Sequence, residues 1–182
     1  MIPLSSEFFE KDALEVAQQL LGKILSVNGN LVRIVETEAY GRDPASHAFK
    51  RTERSALMFD TYGYIYVYLI YGMYHCLNIT TNKVGEAGAV LIRAVQPITG
   101  IPEMKKKRKT DQIVNLCNGP GKLSLALGID KEMNGLQLGK KVQIFDDDFQ
   151  VEISTSSRIG IKDALDLQWR FFVKGNEFVS KV

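Results

Sequence analysis

Residues 64–81 read YIYVYLIYGMYHCLNITT and contain two β-rich runs on either side of Gly72. Tyrosine, isoleucine, valine and threonine favour strands, and glycine permits the sharp turn that a hairpin needs between them. The alternation places Tyr64, Tyr66 and Tyr68 on one face of the first strand and aliphatic side chains on the other. This stretch therefore predicts a β-hairpin with one aromatic face.

The seven tyrosines of the chain are all confined to positions 40 to 74. This aromatic stripe has two interpretations. It packs as the half-buried face of a strand, or it forms a platform on which nucleic-acid bases stack. Tyr71 differs from the others, because an aromatic residue directly before the turn glycine is poorly placed for a core. At the tip of a hairpin it is well placed to act as a wedge.

Further elements are predicted on both sides of this hairpin. Residues 12–21, DALEVAQQLL, have the spacing of an amphipathic helix, with Asp12 as its N-cap. Asn28-Gly29, between two β-rich runs, favours a second tight hairpin. Additional strands are predicted at 89–95, 141–153 and 170–174, and short helices near 54–59 and within 118–128. Because the strands cluster without βαβ alternation, we predict one α+β domain over residues 1–182 with a largely antiparallel sheet.

The composition is that of a globular protein. Of the 182 residues, 45% are hydrophobic and 24% are charged, which excludes disordered and collagen-like proteins. No run approaches the roughly 18 apolar residues of a membrane span. Acidic residues already occur within the first twelve positions, which leaves no room for the apolar core of a signal peptide. We accordingly expect a soluble, cytoplasmic protein without a membrane partner.

Motifs for metals and cofactors are scarce. Two cysteines and two histidines are too few for a disulfide framework or a zinc cluster, so no metal site is predicted. The phosphate-binding patterns GxGxxG and GxxxxGK[ST] are missing, which argues against a nucleotide cofactor. We expect that the protein requires no cofactor.

Basic residues are concentrated in one run at 105–109, although the net charge of the chain is only +2. A charge of that size does not indicate nucleic-acid binding by itself. Pro97 and Pro102 bracket a break before this run. The run is interpreted either as a solvated, mobile loop or as a contact to DNA.

Two glutamates stand on one face of a predicted strand. Glu36 and Glu38 lie two residues apart in RIVETEAY, and Tyr40 continues the same face. The glutamates either face solvent at the strand end or include a carboxylate general base that activates water. Arg93, within the apolar run AVLIRAV, needs a partner if it is buried, and a glutamate on a neighbouring strand would supply one. His47, in the following loop, is interpreted either as exposed or as a stacking and hydrogen-bonding residue.

Residues 118–122, NGPGK, precede a predicted helix. Free backbone N–H groups at a helix start can bind an anion, and Lys122 would stand beside them. Gly and Pro are common before helices, so this segment alone does not identify a function.

Six segments together resemble one family in their order and spacing. They are VETEAY (35–40), DPASHA (43–48), YVYLIYGMYHCLNIT (66–80), VLIRAVQP (90–97), NGPGKL (118–123) and RIGI (158–161). The sequence resembles the alkyladenine (3-methyladenine) DNA glycosylase family, of the mammalian type that also occurs in bacteria at shorter length. The resemblance extends from LSSEFF near the start to RFFVKG near the end. It implies a curved sheet flanked by helices, with a protruding hairpin that inserts into DNA.

The resemblance also implies roles for individual residues. Glu38 resembles the carboxylate that activates the attacking water, while Arg93 and the main-chain carbonyl of Ile159 resemble the groups that hold this water. The other assignments are the walls of a flipped-base pocket (Tyr40, His47, Tyr68), the residue at the purine C2 edge (Asn78), the minor-groove wedge (Tyr71) and DNA-facing positions (Tyr74, Gly121 and Lys122).

The implied activity is that of a monofunctional DNA glycosylase. Such an enzyme flips damaged purines out of duplex DNA, hydrolyses the N-glycosidic bond and starts base excision repair. No lysine or terminal amine matches a nucleophile position, which favours hydrolysis without strand cleavage. The implied partner is double-stranded DNA with a damaged purine, bound by a monomer associated with the nucleoid. The sequence leaves open the preference among 3-methyladenine, 7-methylguanine, hypoxanthine and ethenoadenine.

Two other functions are open at this point. A non-catalytic nucleic-acid-binding module would use the tyrosines to stack bases, but it leaves Glu38 and Arg93 unexplained. A carbohydrate-active glycosidase would use Glu36 and Glu38 as a carboxylate pair, although both lie on one strand rather than on opposite sides of a substrate.

Overall fold

The computed structural model describes residues 1–180 and has an α+β fold. The strands are β1 (Ile2–Pro3), β2 (Ile24–Val27), β3 (Asn30–Tyr40), β4 (Ile65–Ile70), β5 (Tyr74–Thr81), β6 (Gly88–Pro97), β7 (Val142–Asp146), β8 (Ile153–Ser156) and β9 (Arg170–Val173). The α-helices are α1 (Ala13–Gln19), α2 (Ala56–Asp60), α3 (Ile101–Arg108) and α4 (Pro120–Leu127). Short 3₁₀ helices are formed by Ser6–Glu10, His47–Phe49, Ile113–Asn115 and Lys131–Met133.

These strands form one curled sheet in which the paired strands run antiparallel. The main order is β1-β7-β2-β3-β6-β5-β4, and β8 joins through β9. β3 is central, because β6 pairs along one of its edges while β2 and β9 share the other. The predicted fold class and antiparallel sheet are confirmed.

The helices α1 and α4 pack on one face of the sheet and form the main core with it. α1 starts at the predicted N-cap, where Asp12 accepts a hydrogen bond from the Leu14 N–H (2.8 Å). Its Val16 is fully buried in this core, as is Leu123 of α4. Full burial of such an aliphatic side chain stabilises the fold by about 1.5–3 kcal/mol. Within residues 1–180, no helix has the length and apolarity needed to cross a membrane.

An irregularity in β3 decides which side chains leave this core. The register between β3 and β6 shifts around Glu36, so that Val35 and Arg93 have no partner across the ladder. Ile34, before the shift, packs in the main core, whereas after it Thr37 turns toward α1 and bonds to the helix backbone (2.8 Å). The two glutamates beside Thr37 consequently face away from the main core. β-bulges often redirect side chains in this way next to functional sites.

The hairpin of β4 and β5 closes in a tight turn at the predicted place. Tyr71 and Gly72 both have positive φ (51° and 69°), and the Met73 N–H donates to the Ile70 carbonyl (3.1 Å). The side of β4 that carries Ile65 packs on the main core, as the alternation predicted. Tyr71 protrudes from the tip, 83% exposed.

Two predictions of local structure are wrong. The basic run at 105–109 is not a mobile loop, because α3 extends through it to Arg108. Pro102 stands in the first turn of α3, where proline is tolerated, and the basic residues of the last turn interact favourably with the helix dipole. The strand predicted at 141–153 is divided into β7 and β8, because the backbone between them turns at Asp148, whose positive φ (59°) cannot continue a strand.

Close packing of α4 on the hairpin is tested by replacing Gly121 with alanine. An added Cβ would lie 3.0 Å from the Tyr74 Cβ and Cγ atoms, which are too near the backbone to move freely. We expect Gly121→Ala to lower the free energy of unfolding by about 1–2 kcal/mol, because overpacking outweighs the better helix propensity of alanine. Gly139→Ala is the control, since nothing lies within 4 Å of that added Cβ. Urea denaturation of both variants checks this, and equal stabilities would contradict it.

Candidate active site

A cavity of about 390 Å³ opens beside the β4–β5 hairpin. Side chains from β3 to β6, the loop around Ser46 and the irregular segment between β8 and β9 line it. The lining includes seven of the predicted site residues, which are Tyr40, His47, Tyr68, Tyr71, Asn78, Arg93 and Ile159. The fold thus collects at one place residues that are distant in the sequence.

Glu38 is fully buried and is held by three groups that line this cavity. The Tyr40 hydroxyl donates to Oε2 (2.8 Å), and the Ile159 N–H donates to Oε1 (2.7 Å). Arg93 Nη1 lies 3.3 Å from Oε1. Ile159 therefore contacts Glu38 through its N–H. The role predicted for its carbonyl, which is to hold the attacking water, stays a prediction.

Burial raises the pKa of Glu38 above the usual 4.5, because the ionised carboxylate loses its hydration. The charge of Arg93, the Ile159 N–H and the Tyr40 hydroxyl act in the opposite direction. A carboxylate with a raised pKa is a stronger base than an exposed glutamate. This environment suits Glu38 to accept a proton from water.

Glu36, on the same face of β3, is enclosed by other groups. Its carboxylate accepts hydrogen bonds from Arg93 Nε (3.1 Å), from Arg170 Nε (2.7 Å), and from the Ser180 N–H (2.7 Å) and hydroxyl (2.8 Å). The interpretation that the glutamates face solvent is wrong, since both are fully buried. A catalytic pair with Glu38 is disfavoured, because the Glu36 carboxylate is already occupied by Arg93, Arg170 and Ser180.

Aromatic side chains form the walls of the cavity. His47 Nδ1 lies 2.9 Å from the Tyr66 hydroxyl, and its ring meets Tyr68 edge to face with 4.7 Å between centroids. Burial, followed by the charge of Arg54, lowers the pKa of His47 below 6.5. His47 is therefore a half-buried ring that favours its neutral form, and its interpretation as exposed is wrong. A neutral imidazole in the cavity wall does not repel a cationic ligand, whereas a protonated one would.

Asn78 is held in one orientation at the cavity. It is 2% exposed, and its Nδ2 donates to the backbone carbonyls of Tyr66 (3.0 Å) and Cys76 (3.4 Å). Because the amide is tied to its own hairpin, it is a rigid part of the cavity surface. Tyr66 and Tyr68 pack in a small second cluster, as the packing interpretation of the tyrosine stripe has it, and they also line the cavity, while the stacking of bases on them stays a prediction.

The predicted DNA-facing residues meet beside the turn of the exposed hairpin, where Tyr74 pairs with Ile70. Residues 118–122 lead into α4, and Gly121 lies directly against Tyr74. Lys122 is exposed, and its Nζ donates to Asn118 Oδ1 (2.8 Å). The structure brings these residues together, while their contact with DNA stays a prediction.

Sequence reasoning missed a buried ion pair next to the cavity. Arg158 Nη2 lies 2.6 Å from Asp43 Oδ1, and both side chains are almost fully buried. Each residue stands in one of the family motifs, RIGI and DPASHA. However, no spacing rule indicates that side chains 115 positions apart in the sequence meet.

Metal ligands are sparse in the part of the chain that is described. Among residues 1–180, no three His, Cys, Asp or Glu side chains are arranged to hold a metal ion. Cys76, which lines the cavity, is buried, and burial raises the pKa of its thiol to about 11. The thiol is therefore protonated at neutral pH.

Comparison with known proteins agrees with this geometry. Residues 7–177 match the model of the methylpurine-DNA glycosylase family. The chain belongs to this family. It is accordingly a DNA glycosylase, a hydrolase that acts on N-glycosyl bonds, and the resemblance stated from the motifs is confirmed.

Relatives of this glycosylase are similar over nearly their whole length. A protein of Clostridium novyi is 45% identical and one of Alkaliphilus oremlandii 46% identical, in each case over 98% of both chains. A protein of Rhizobium etli is 46% identical over 96% of this chain and 87% of its own. All three are named "Putative 3-methyladenine DNA glycosylase".

The two buried glutamates of the glycosylase are expected to differ in their effect on stability. Glu36→Gln leaves Arg170 without its carboxylate, and breaking such a buried pair costs about 3–5 kcal/mol. Glu38→Gln removes a charge that burial disfavours, while Arg93 keeps Glu36, so we expect a change within about 1 kcal/mol. Urea denaturation at pH 7 measures both values. Equal losses would contradict the assignment of Glu36 as the structural partner.

Proposed function

We propose that this glycosylase is monofunctional: it flips a damaged purine out of duplex DNA and hydrolyses the N-glycosidic bond without cutting the strand. The substrates we propose are alkylated adenine and guanine, hypoxanthine and ethenoadenine. The observation that carries the proposal is the buried Glu38 carboxylate, held by Tyr40, Arg93 and the Ile159 N–H at an aromatic cavity. A base at this position serves hydrolysis and has no use in a simple binding module.

Base flipping follows from the depth of the site. The Glu38 carboxylate is buried behind the cavity wall and cannot reach a base inside the duplex, so the nucleotide must leave the stack, which costs a few kcal/mol. Stacking on Tyr40, His47 and Tyr68 would return about 1–3 kcal/mol. Tyr71, exposed at the hairpin tip, would fill the gap that the nucleotide leaves.

Hydrolysis uses water as the nucleophile. As the bond between the sugar carbon and the purine nitrogen breaks, its electrons leave with the purine and the carbon becomes positively charged. Water adds to this carbon while Glu38 accepts its proton, and we assign Arg93 and the Ile159 carbonyl to holding the water. A cationic alkylated purine leaves directly, whereas neutral hypoxanthine needs a proton first. Because Glu38 must be ionised, activity on a cationic purine rises with pH through the raised pKa of Glu38.

Asn78 is proposed to discriminate at the C2 edge of the purine. Guanine differs from hypoxanthine by its 2-amino group, which a rigid amide at that edge would exclude by steric clash. The two hydrogen bonds that fix the Asn78 amide to the backbone support this role, because an immobile side chain cannot make room.

The surroundings of the site are proposed to bind DNA. Tyr74, Gly121 and Lys122 would face the duplex beside the turn of the hairpin, with Lys122 at a phosphate. We propose a protein that acts as a monomer, with residues 1–182 as one glycosylase domain, and that associates with the nucleoid.

The decisive experiment uses duplex DNA with one 7-methylguanine or hypoxanthine. We expect base release that yields strand breaks only after alkali or heat. Glu38→Gln should lower the excision rate at least about 10²-fold, because the general base is lost, while lesion-DNA binding is retained. Gel analysis of strand length and a binding assay measure the two quantities.

Three results would contradict this mechanism. Excision by Glu38→Gln at the normal rate would exclude Glu38 as the base. Trapping of a covalent protein–DNA adduct with borohydride would indicate an amine nucleophile. Binding of intact single strands without any base release would support the non-catalytic module instead.

Tyr71→Ala tests the proposed wedge. We expect weaker binding to lesion-containing duplex, because nothing then fills the vacated stack. The melting temperature should hardly change, since a side chain 83% exposed contributes little to the core. Tyr62→Phe is a control on a tyrosine outside the cavity lining. A large fall in melting temperature would instead support a structural role for Tyr71.

A further inference from the structure

The amide of Ile159 is held on Glu38 although it belongs to no helix or strand. Residues 157–169, between β8 and β9, have no regular secondary structure, so no ladder of backbone hydrogen bonds positions this N–H. Yet it lies 2.7 Å from Glu38 Oε1. Some other contact must therefore hold the segment in place.

The preceding residue, Arg158, supplies that contact. Its side chain is fully buried and binds Asp43 with both terminal nitrogens, Nη2 to Oδ1 at 2.6 Å and Nη1 to Oδ2 at 3.1 Å. Nη1 also donates to the Ala39 carbonyl (3.1 Å), which fastens the segment to the strand that carries Glu38. The guanidinium carbon lies 4.7 Å from the Tyr40 ring centroid and 5.0 Å from that of Trp169.

Asp43 connects the same guanidinium to another wall of the cavity. Its side chain accepts from the Ala45 N–H (3.0 Å), and its carbonyl accepts from the Ser46 N–H (3.0 Å). Ser46 in turn caps the 3₁₀ helix that begins at His47. One buried ion pair thus joins three parts of the site: the strand of Glu38, the loop of His47 and the segment of Ile159.

We infer that Arg158, bound to Asp43, is a positioning residue that keeps the Ile159 N–H on Glu38 and the Tyr40 ring at the cavity wall. The inference rests on the proposed function of Glu38 as the base. Arg158 and Asp43 contact the strand of Glu38, the Tyr40 ring and the loop before His47, so both act through other groups. If the ion pair is loosened, Glu38 loses a hydrogen bond that favours its ionised form.

This consequence is measurable as a pH shift. A hydrogen bond to a charged acceptor is worth roughly one pKa unit, and losing it would raise the pKa of Glu38 further. Because Glu38 must be ionised, the acid limb of the rate profile would move to higher pH. Loosening the pair removes none of the other ionisable groups around Glu38, and among them Tyr40 is the one whose ring Arg158 also contacts. These groups are Arg93, Glu36, Tyr40, Tyr68, Cys76 and Arg170.

The test uses Arg158→Lys, which keeps the positive charge, and Asp43→Asn, which keeps the size of the side chain; each breaks the bidentate pair. Single-turnover excision of 7-methylguanine from duplex DNA is followed against pH, since this cationic base needs no proton to leave. We expect the midpoint of the acid limb to rise by roughly one pH unit in each variant, so that excision below the midpoint falls about tenfold.

A matched control lies on the same strand, away from the cavity. Arg33 binds Asp147 through two hydrogen bonds (3.1 and 2.8 Å), contacts a backbone carbonyl and lies 4.1 Å from the Phe149 ring centroid. Arg33→Lys and Asp147→Asn should leave the acid limb where it is, although they also weaken a pair. These two controls distinguish a general loss of stability from a loss of the contact between Ile159 and Glu38.

The outcomes are distinct. A shifted limb in either Arg158→Lys or Asp43→Asn, with unshifted controls, supports the inference, and one folded variant is sufficient for the decision. A lower melting temperature with an unshifted limb overturns it and makes the pair purely structural. If the parent protein releases no 7-methylguanine, this result contradicts the proposed function itself, whatever the role of Arg158.

Discussion

Burial of the Glu38 carboxylate is the constraint on which the rest of the site depends. An ionised group without water is tolerated in a fold only if charges and hydrogen bonds replace its hydration. Arg93 supplies the charge, while Tyr40 and the Ile159 N–H supply hydrogen bonds. Arg93 in turn needs Glu36, and Glu36 also binds Arg170. Two carboxylates and two guanidinium groups therefore balance inside the sheet, and Glu36 is the member whose removal leaves Arg170 without its carboxylate.

The bulge in β3 makes this balance possible. The register shift lets Ile34 and Thr37 both face the helices, so the glutamates next to Thr37 are turned to the opposite side. With regular pairing, the alternation that buries Ile34 would send Glu36 and Glu38 into the aliphatic core as well. The same shift leaves Arg93 unpaired in the ladder, directly beside the acids that it binds.

Local patterns were sufficient to predict much of the fold. The alternation of side chains predicted the strands, Asp12 predicted the start of α1, and the turn residues predicted both hairpins. Each of these features depends on residues that are neighbours in the sequence. The six motifs also contain most of the residues that line the cavity. The Arg158–Asp43 pair and the contacts of Glu36 with Ser180 could not be predicted, since tertiary packing alone brings these groups together. The helix at the basic run was missed because Pro102 was interpreted as a break rather than as a first-turn residue.

At the hairpin tip, the backbone conformation of Tyr71 lowers stability, while the role that we propose for this residue requires its aromatic ring. A tyrosine with a φ of 51° is strained, and asparagine or glycine would occupy that position at lower cost. Selection for stability alone would therefore remove the aromatic ring from Tyr71. Thermostabilised variants chosen only by their resistance to heat are thus liable to lose this side chain, and with it the wedge that we propose.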